Sequence, residues 1–372
     1  MKKILPLIIA LILLTSCSHI VREKKPLARN TTTEQTTNQP EIIPDADAVL
    51  DTILPVKKTT MLAVGDIMLS RSVAAQIDKA GNPLLPFQKL ADILSTTDFN
   101  FGNLESPFSG QPEYGSTGSF VFNTPPQNIQ GLQEYNFKVL NLANNHALDM
   151  GARGLSYTRA YLSERGILSI GTGENQAEAW KPAVVEYNGV RVGFIGASYA
   201  SLNDNGKTKN DYVARIEDTT HLTEAIAAAK AQADFVVVTI HAGTEYVRKP
   251  NAAQVTFAHT AIEAGADIVI GSHPHWVQQA EQYKGKYIFY SLGNFIFDQM
   301  WSQETREGLA LRLTVTKTTA NSDTHVVLAR LELLPVKIED YSTPRLATAT
   351  EAARIVEALG AVGKAFEIVT QE

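Results

Sequence analysis

A chain of 372 residues that is 44% apolar and 19% charged has the balance of a soluble globular protein, which excludes a multispan membrane protein and a wholly disordered one. The formal charge of −6 is mild and no basic cluster lies beyond the first 30 residues, so no nucleic-acid partner is expected. The lone cysteine, Cys17, excludes an internal disulfide and leaves the rest of the chain without a thiolate metal ligand.

Lys2 and Lys3 precede an apolar run from Ile4 to Leu14, then small residues and Cys17, which is the order of a secretory signal. The run is too short to span a bilayer comfortably. Leu14-Thr15-Ser16-Cys17 resembles the lipobox of bacterial lipoproteins, which implies cleavage before Cys17, lipidation of that residue and an extracytoplasmic, membrane-anchored place in the cell envelope. Ser18 stands where aspartate would signal inner-membrane retention, so outer-membrane sorting is open where the host has an outer membrane. From residue 17 to 58 the chain is rich in Thr, Asn, Gln and Pro with no hydrophobic period, and this stretch is expected to be a disordered tether. The expected division is a signal peptide at 1–16, the tether at 17–58 and one domain at 59–372.

Beyond the tether, short apolar bursts bounded by turn residues read as buried strands: Met61 to Val64, Lys138 to Leu142, Val190 to Ile195, Phe235 to Ile240, Ile268 to Ile270 and Tyr287 to Tyr290. Between them Ser70 to Ala80, Gly154 to Arg165, Thr219 to Ala231 and Ala252 to Ala264 carry apolar residues three and four apart and read as helices. This alternation predicts an α/β fold. Leu309 to Val315 and Val326 to Leu334 are expected as antiparallel edge strands, joined by the polar turn Asn321-Ser322-Asp323. The tail from Thr350 to Ile368 reads as a surface helix, and no internal repeat is found.

Side chains able to hold a metal recur just after the apolar strands, where α/β proteins open their ligand crevice. Asp66 follows the first burst; Asn103 and Glu105 follow Asp98-Phe99-Asn100-Phe101; Asn144, Asn145 and His146 follow the Val139 strand. His241 caps its strand, His273-Pro274-His275 follows Ile270, and Asn294 follows Tyr290. Four of the eight histidines therefore stand at one end of the strands. Imidazole with carboxylate and amide oxygen suits zinc, manganese or iron, and such a site can bring the pKa of bound water toward neutrality without a thiol or serine nucleophile. An extended backbone through Pro274 is expected to point His273 and His275 to one side. Glu245 reads either as a residue that orients His241 or binds substrate, or as a surface carboxylate. Asn294 reads as fixing loop geometry or supporting the site, and Arg71 as an anion receptor or a solvated residue at a helix start. His221, His259 and His325 lie in helix or edge-strand patterns and read as structural, as does the aromatic run Phe289-Tyr290 with Phe295 and Phe297.

The segments Val64-Gly65-Asp66-Ile67-Met68, Asn103-Leu104-Glu105, Asn144-Asn145-His146, His241-Ala242-Gly243-Thr244-Glu245-Tyr246, Gly271-Ser272-His273-Pro274-His275 and Ser291-Leu292-Gly293-Asn294-Phe295-Ile296-Phe297-Asp298 occur in the order of the CapA family, named for poly-γ-glutamate capsule synthesis. The resemblance runs from about Thr60 to Asp298. CapA-type domains in turn resemble calcineurin-like metallophosphatases, which implies a four-layer αββα sandwich with two central sheets and one or two divalent ions at the strand ends. The resemblance makes Asp66, Asn145, His241, His273 and His275 metal ligands and His146 the acid that protonates a leaving group, with Glu105 reaching in from beside Asn103. Where metallophosphatases place a histidine two residues after the first aspartate this chain has Met68, and where they place the bridging aspartate it has Asn103. The functions implied are work on poly-γ-glutamate in synthesis, export or attachment, together with other capsule-synthesis proteins; metal-dependent hydrolysis of a phosphoester or amide; or a non-catalytic polymer-binding scaffold.

Overall fold

In a computed structural model that describes residues 56–109, 120–199, 211–320 and 323–371, the strands in chain order are β1 (Val56–Ile67), β2 (Phe99–Leu104), β3 (Phe137–Asn141), β4 (Leu168–Ile170), β5 (Ala183–Tyr187), β6 (Val190–Ser198), β7 (Phe235–His241), β8 (Ile268–Ser272), β9 (Ala280–Tyr283), β10 (Lys286–Phe289), β11 (Asn294–Ile296), β12 (Glu307–Ala320), β13 (Asp323–Glu339), β14 (Thr343–Leu346) and β15 (Glu367–Ile368). The longer helices are α1 (Arg71–Ala80), α2 (Gly151–Ser163), α3 (Thr219–Lys230), α4 (Ala252–Ala264) and α5 (Ala349–Glu357). The signal peptide, Cys17 and the tether up to residue 55 lie outside the described residues, whereas 56–58, read as the end of the tether, already pair with β12.

Alternate residues of each strand serve different layers, as the two-residue period of extended chain dictates. Leu62 and Val64 of β1 pack outward under α1 and α2, while Met61 and Ala63 turn inward. In β7, Val236 and Val238 meet α3 and α4, and Phe235 and Val237 face the inner core. Both faces of these strands are covered, which is why they read as unbroken apolar runs. The layers run helix, sheet, sheet, helix, the αββα arrangement expected.

The larger sheet has the order β14-β13-β12-β1-β2-β3-β4, with β11 added to β1 and β15 to β13; the smaller has β5-β6-β7-β8-β10-β9. β1 to β4 run parallel, as do β6, β7, β8 and β10, so their C-terminal ends gather the loops of both sheets along one edge. Two glycines permit the close approaches that bring the ends together. A Cβ on Gly65 would stand 1.9 Å from the Gly293 carbonyl oxygen, and one on Gly271 would stand 2.0 Å from that of Tyr290.

Two expectations are corrected. β12 and β13 pair antiparallel as expected, but β12 is not an edge strand: it lies between β1 and β13. β13 is the edge only in its first half, because β15 pairs with Glu332 and Leu333 and β14 with Val336 to Glu339. The covering strands are four and two residues long, too short to leave a periodic signal. The C-terminal stretch is not one surface helix. α5 starts in a Thr348–Glu351 capping box, buries Ala352, Ile355 and Val356, and gives way to a 3₁₀ turn at Gly360 (φ 71°) before β15.

Candidate metal centre

Asp66 is the last residue but one of β1 and has no solvent exposure. Its Oδ1 accepts a hydrogen bond from Asn103 Nδ2 at 2.8 Å and its Oδ2 one from the His273 backbone N–H at 3.2 Å. His275 Nδ1 stands 3.7 Å from Oδ2, and His241 Nδ1 stands 3.8 Å from Oδ1. His241, the last residue of β7, is held at Nδ1 by Asn103 Nδ2 (3.1 Å) and Ser272 Oγ (3.0 Å), while its Nε2 meets Asn145 Oδ1 at 2.7 Å. His275 Nδ1 pairs with Asn294 Oδ1 at 2.9 Å.

Glu105 lies just beyond β2, fully buried, and its carboxylate belongs to two donor groups: Glu105, His241 and His273 in one, Asp66, Glu105 and His275 in the other. Within each group the donor atoms lie inside 4.8 Å of one another. Among the described residues neither oxygen of Glu105 has a hydrogen-bond partner, nor does Nδ1 of the buried His273. Buried polar groups are otherwise almost always paired, and an unpaired carboxylate in a low-dielectric interior costs several kcal/mol or gives up its charge. A divalent cation among these donors removes that penalty, so the residues present fit one.

Burial drives the Glu105 carboxyl well above its usual range, with the charge of Asp66 adding to the effect. Burial also pushes Asp66 up to about 7, against the hydrogen bonds from His273 and Asn103 that favour its anion. The same burial, reinforced by neighbouring imidazoles, holds His241 and His273 well below the usual histidine range. His275 is brought down to about 4, again chiefly by burial. Neutral imidazoles are ready ligands, whereas the carboxyls must release protons to bind a cation. Below about 7 Asp66 is protonated, so cation affinity is expected to fall roughly tenfold per pH unit for each proton displaced as pH drops through that value. Manganese titration calorimetry between pH 5.5 and 8 measures this slope.

His146 lies on the loop after β3, its Nε2 3.8 Å from Glu105 Oε1. Its Nδ1 meets Asp149 Oδ2 at 2.7 Å, and the Phe122 ring stacks on it at 3.8 Å and 18°. Asp149 Oδ2 also accepts the Phe122 backbone N–H at 2.6 Å, so one carboxylate fixes both the imidazole and the ring that covers it. Asn144 shapes the turn by donating to the Leu104 carbonyl (2.8 Å) and accepting from the His146 N–H (3.1 Å).

The structure thus brings Asp66, Glu105, Asn145, His146, His241, His273 and His275 into one buried cluster. His273 (φ 101°) and His275 (φ 57°) are not on extended backbone: the chain turns at both, which sends each ring to a different donor group. Asn103 spends its amide on Asp66 and His241, while its oxygen accepts from Asn141 at 2.9 Å, so it braces the site from behind. Met68 faces away into the outer core, its sulfur accepting from the Ser70 hydroxyl and N–H. Arg71 is not a solvated helix-start residue: it forms an ion pair with Asp298 and lies 4.5 Å over the Phe122 ring and 5.6 Å from that of Phe297. Glu245 is exposed on the loop after β7, and its charge raises the pKa of Glu105. Among the histidines read as structural, His259 pairs with Glu281 and stacks on Tyr283, and His221 binds Asp218 at the start of α3. Phe297 packs against His275 at 4.8 Å and so lines the cluster as well as the core. Sequence reasoning missed Asp149, Ser272 and Asn141; the spacing of Asp149 three residues after His146 was the one signal available.

The family model for the bacterial capsule synthesis protein PGA_cap matches residues 60–299. The chain is 32% identical to the capsule biosynthesis protein CapA of Bacillus anthracis, over 83% of this chain and 76% of that protein. It is 34% identical to the PGA biosynthesis protein CapA of Bacillus subtilis strain 168, over 76% and 72%. Among solved structures it resembles the calcineurin-like phosphoesterase YfkN of Bacillus subtilis (15% identity, TM-score 0.48, 84% of this chain and 99% of that one). It also resembles a putative 5'-nucleotidase of Staphylococcus aureus (17%, TM-score 0.47, 76% and 55%). With two thirds of its length carrying the family's pattern, from the Asp66 strand to the loop beyond Asn294, the chain belongs to the PGA_cap family of bacterial capsule synthesis proteins.

Proposed function

We propose that this protein is a metal-dependent hydrolase of the cell envelope that acts on γ-glutamyl polymer during capsule synthesis, export or attachment. The observation that carries the reading is the buried, unpartnered Glu105 carboxylate shared by two histidine-containing donor groups, with His146 3.8 Å away. Asp66, Glu105, Asn145, His241, His273 and His275 would hold one ion or two, and their mixed nitrogen and oxygen donors suit manganese, zinc or iron. Such an ion supplies Lewis acidity and a lowered pKa for a bound water.

The chain's own residues supply the rest. Asp149 fixes His146 with Nδ1 engaged and Nε2 turned toward Glu105. From that position Nε2 donates a proton to the leaving nitrogen of a γ-glutamyl amide. Phe122 and Phe297 keep water from the far faces of His146 and His275. Purified protein with manganese should shorten poly-γ-glutamate and lose that activity on chelation. Polymer left intact while a chromogenic phosphoester is cleaved would assign the same site a different substrate.

The lipobox supports a lipid anchor at Cys17 that would hold the protein at the membrane beside other capsule-synthesis proteins. Labelled palmitate is expected in the wild-type protein and absent from Cys17→Ser, which should fractionate away from membranes; equal labelling of both would remove the anchor.

A further inference from the structure

Beside the His275 end of the cluster, three aromatic side chains continue outward to the surface. The Tyr246 ring stacks near His275 (5.9 Å, 26°), and Trp301 meets Tyr246 edge to face at 4.8 Å and 81°. Trp276 lies 6.3 Å from Tyr246, with the Arg248 guanidinium 5.5 Å over its ring. Trp301 is 62% exposed although it is the largest kind of apolar side chain. One exposed aromatic is ordinary on a protein surface. This one stands at the end of a rigid series that starts at a candidate metal ligand.

The rigidity has two sources. Tyr246 takes a left-handed backbone conformation (φ 62°), held by its N–H to the Pro274 carbonyl at 2.9 Å. A non-glycine residue in that region costs of order 1 kcal/mol and persists only where the surroundings impose it. Tyr246 is also tied to His275 through hydrogen bonds: Gln299 Nε2 donates to the Tyr246 hydroxyl (3.3 Å), Asn294 Nδ2 donates to Gln299 Oε1 (3.2 Å), and Asn294 Oδ1 pairs with His275 Nδ1. The platform and the site therefore hold one fixed relation.

We infer that Tyr246 and Trp301 form a substrate platform on which a γ-glutamyl chain lies as it enters the site. The proposal rests on the hydrolase reading above and names the residues that position its substrate. A γ-glutamyl chain alternates flat amide planes and paired methylenes with free carboxylates. Aromatic faces suit the planes and methylenes, and Arg248 with the exposed Lys249 on the same loop suits the carboxylates. Glu245, exposed next to Tyr246, suits the amide N–H groups as an acceptor.

Calorimetric titration of the full chain in detergent with a synthetic γ-linked hexaglutamate, with and without manganese, tests this. Trp301→Ala is expected to weaken binding about tenfold, the size of a lost aromatic contact with its buried area. Trp301→Phe should keep most of the affinity, and α-linked hexaglutamate of equal charge should bind several-fold more weakly. Equal affinity of Trp301→Ala and wild type, or no binding of the γ-linked oligomer to wild type at millimolar concentration, overturns the platform. So does a sugar hexamer that binds better. Manganese uptake by the same samples should be unchanged in Trp301→Ala. Uptake that is absent in wild type would instead refute the metal reading, a separate readout from oligomer binding.

Discussion

His146→Ala is expected to reduce manganese-dependent cleavage of poly-γ-glutamate by roughly 10²- to 10⁴-fold, the usual contribution of a positioned general acid. Metal content should stay near wild type, because the imidazole lies outside both donor groups built around Glu105. The melting temperature should fall, because truncation removes the ring under Phe122 and the imidazole partner of the buried Asp149. Asp149→Asn should have an activity between those of wild type and His146→Ala. It retains an oxygen within reach of Nδ1 and of the Phe122 N–H, so the ring stays placed, but the contact with Nδ1 is no longer charge-assisted. Full activity in His146→Ala would remove the proton-donor role.

Glu105→Gln has the second large effect. The side chain is fully buried, its oxygens have no hydrogen-bond partner among the described residues, and burial already opposes its charge. Glutamine keeps the shape and removes the anion that both donor groups share, so divalent-cation affinity is expected to fall by at least about 100-fold, the upper end of what losing even an outer-shell partner costs. The metal-free variant should melt no lower than metal-free wild type, because no hydrogen bond is lost and a poorly solvated carboxyl is gone. Wild type should gain about 2.7 kcal/mol of stability when free cation reaches 100 times its Kd. The variant should gain almost none at the same concentration. Differential scanning calorimetry with and without manganese reads both quantities.

How much of this was legible in the sequence depends on distance along the chain. The long buried strands and the amphipathic helices are written in local periodicity, so β6, β7, β8 and α1 to α4 fall close to their expected spans, while β1 holds the expected Met61 to Val64 inside a much longer strand. The metal-ligating residue types were also visible, since each follows its own strand within one turn of chain. What local pattern cannot carry is pairing. The Arg71–Asp298 ion pair joins residues 227 positions apart, and nothing around Arg71 in sequence announces a partner. The two-residue β15 covers β13 without any period of its own. The His273-Pro274-His275 turn was misread because proline is compatible with both an extended path and a bend. The bend is decided by the His273 N–H reaching Asp66 and the Pro274 carbonyl reaching Tyr246, both tertiary contacts. The roles of Asn103 and Asn294 likewise became specific only once their partners, His241 and His275, stood beside them.

Elemental analysis of the purified full-length protein, paired with a melting curve before and after chelation, bears most directly on the cluster around Glu105. At least one equivalent of manganese, zinc or iron per chain is expected, with a lower melting temperature once the ion is stripped that is reversed on adding it back. Protein that carries no transition metal, takes up none, and melts at the same temperature with or without chelator would contradict the metal reading.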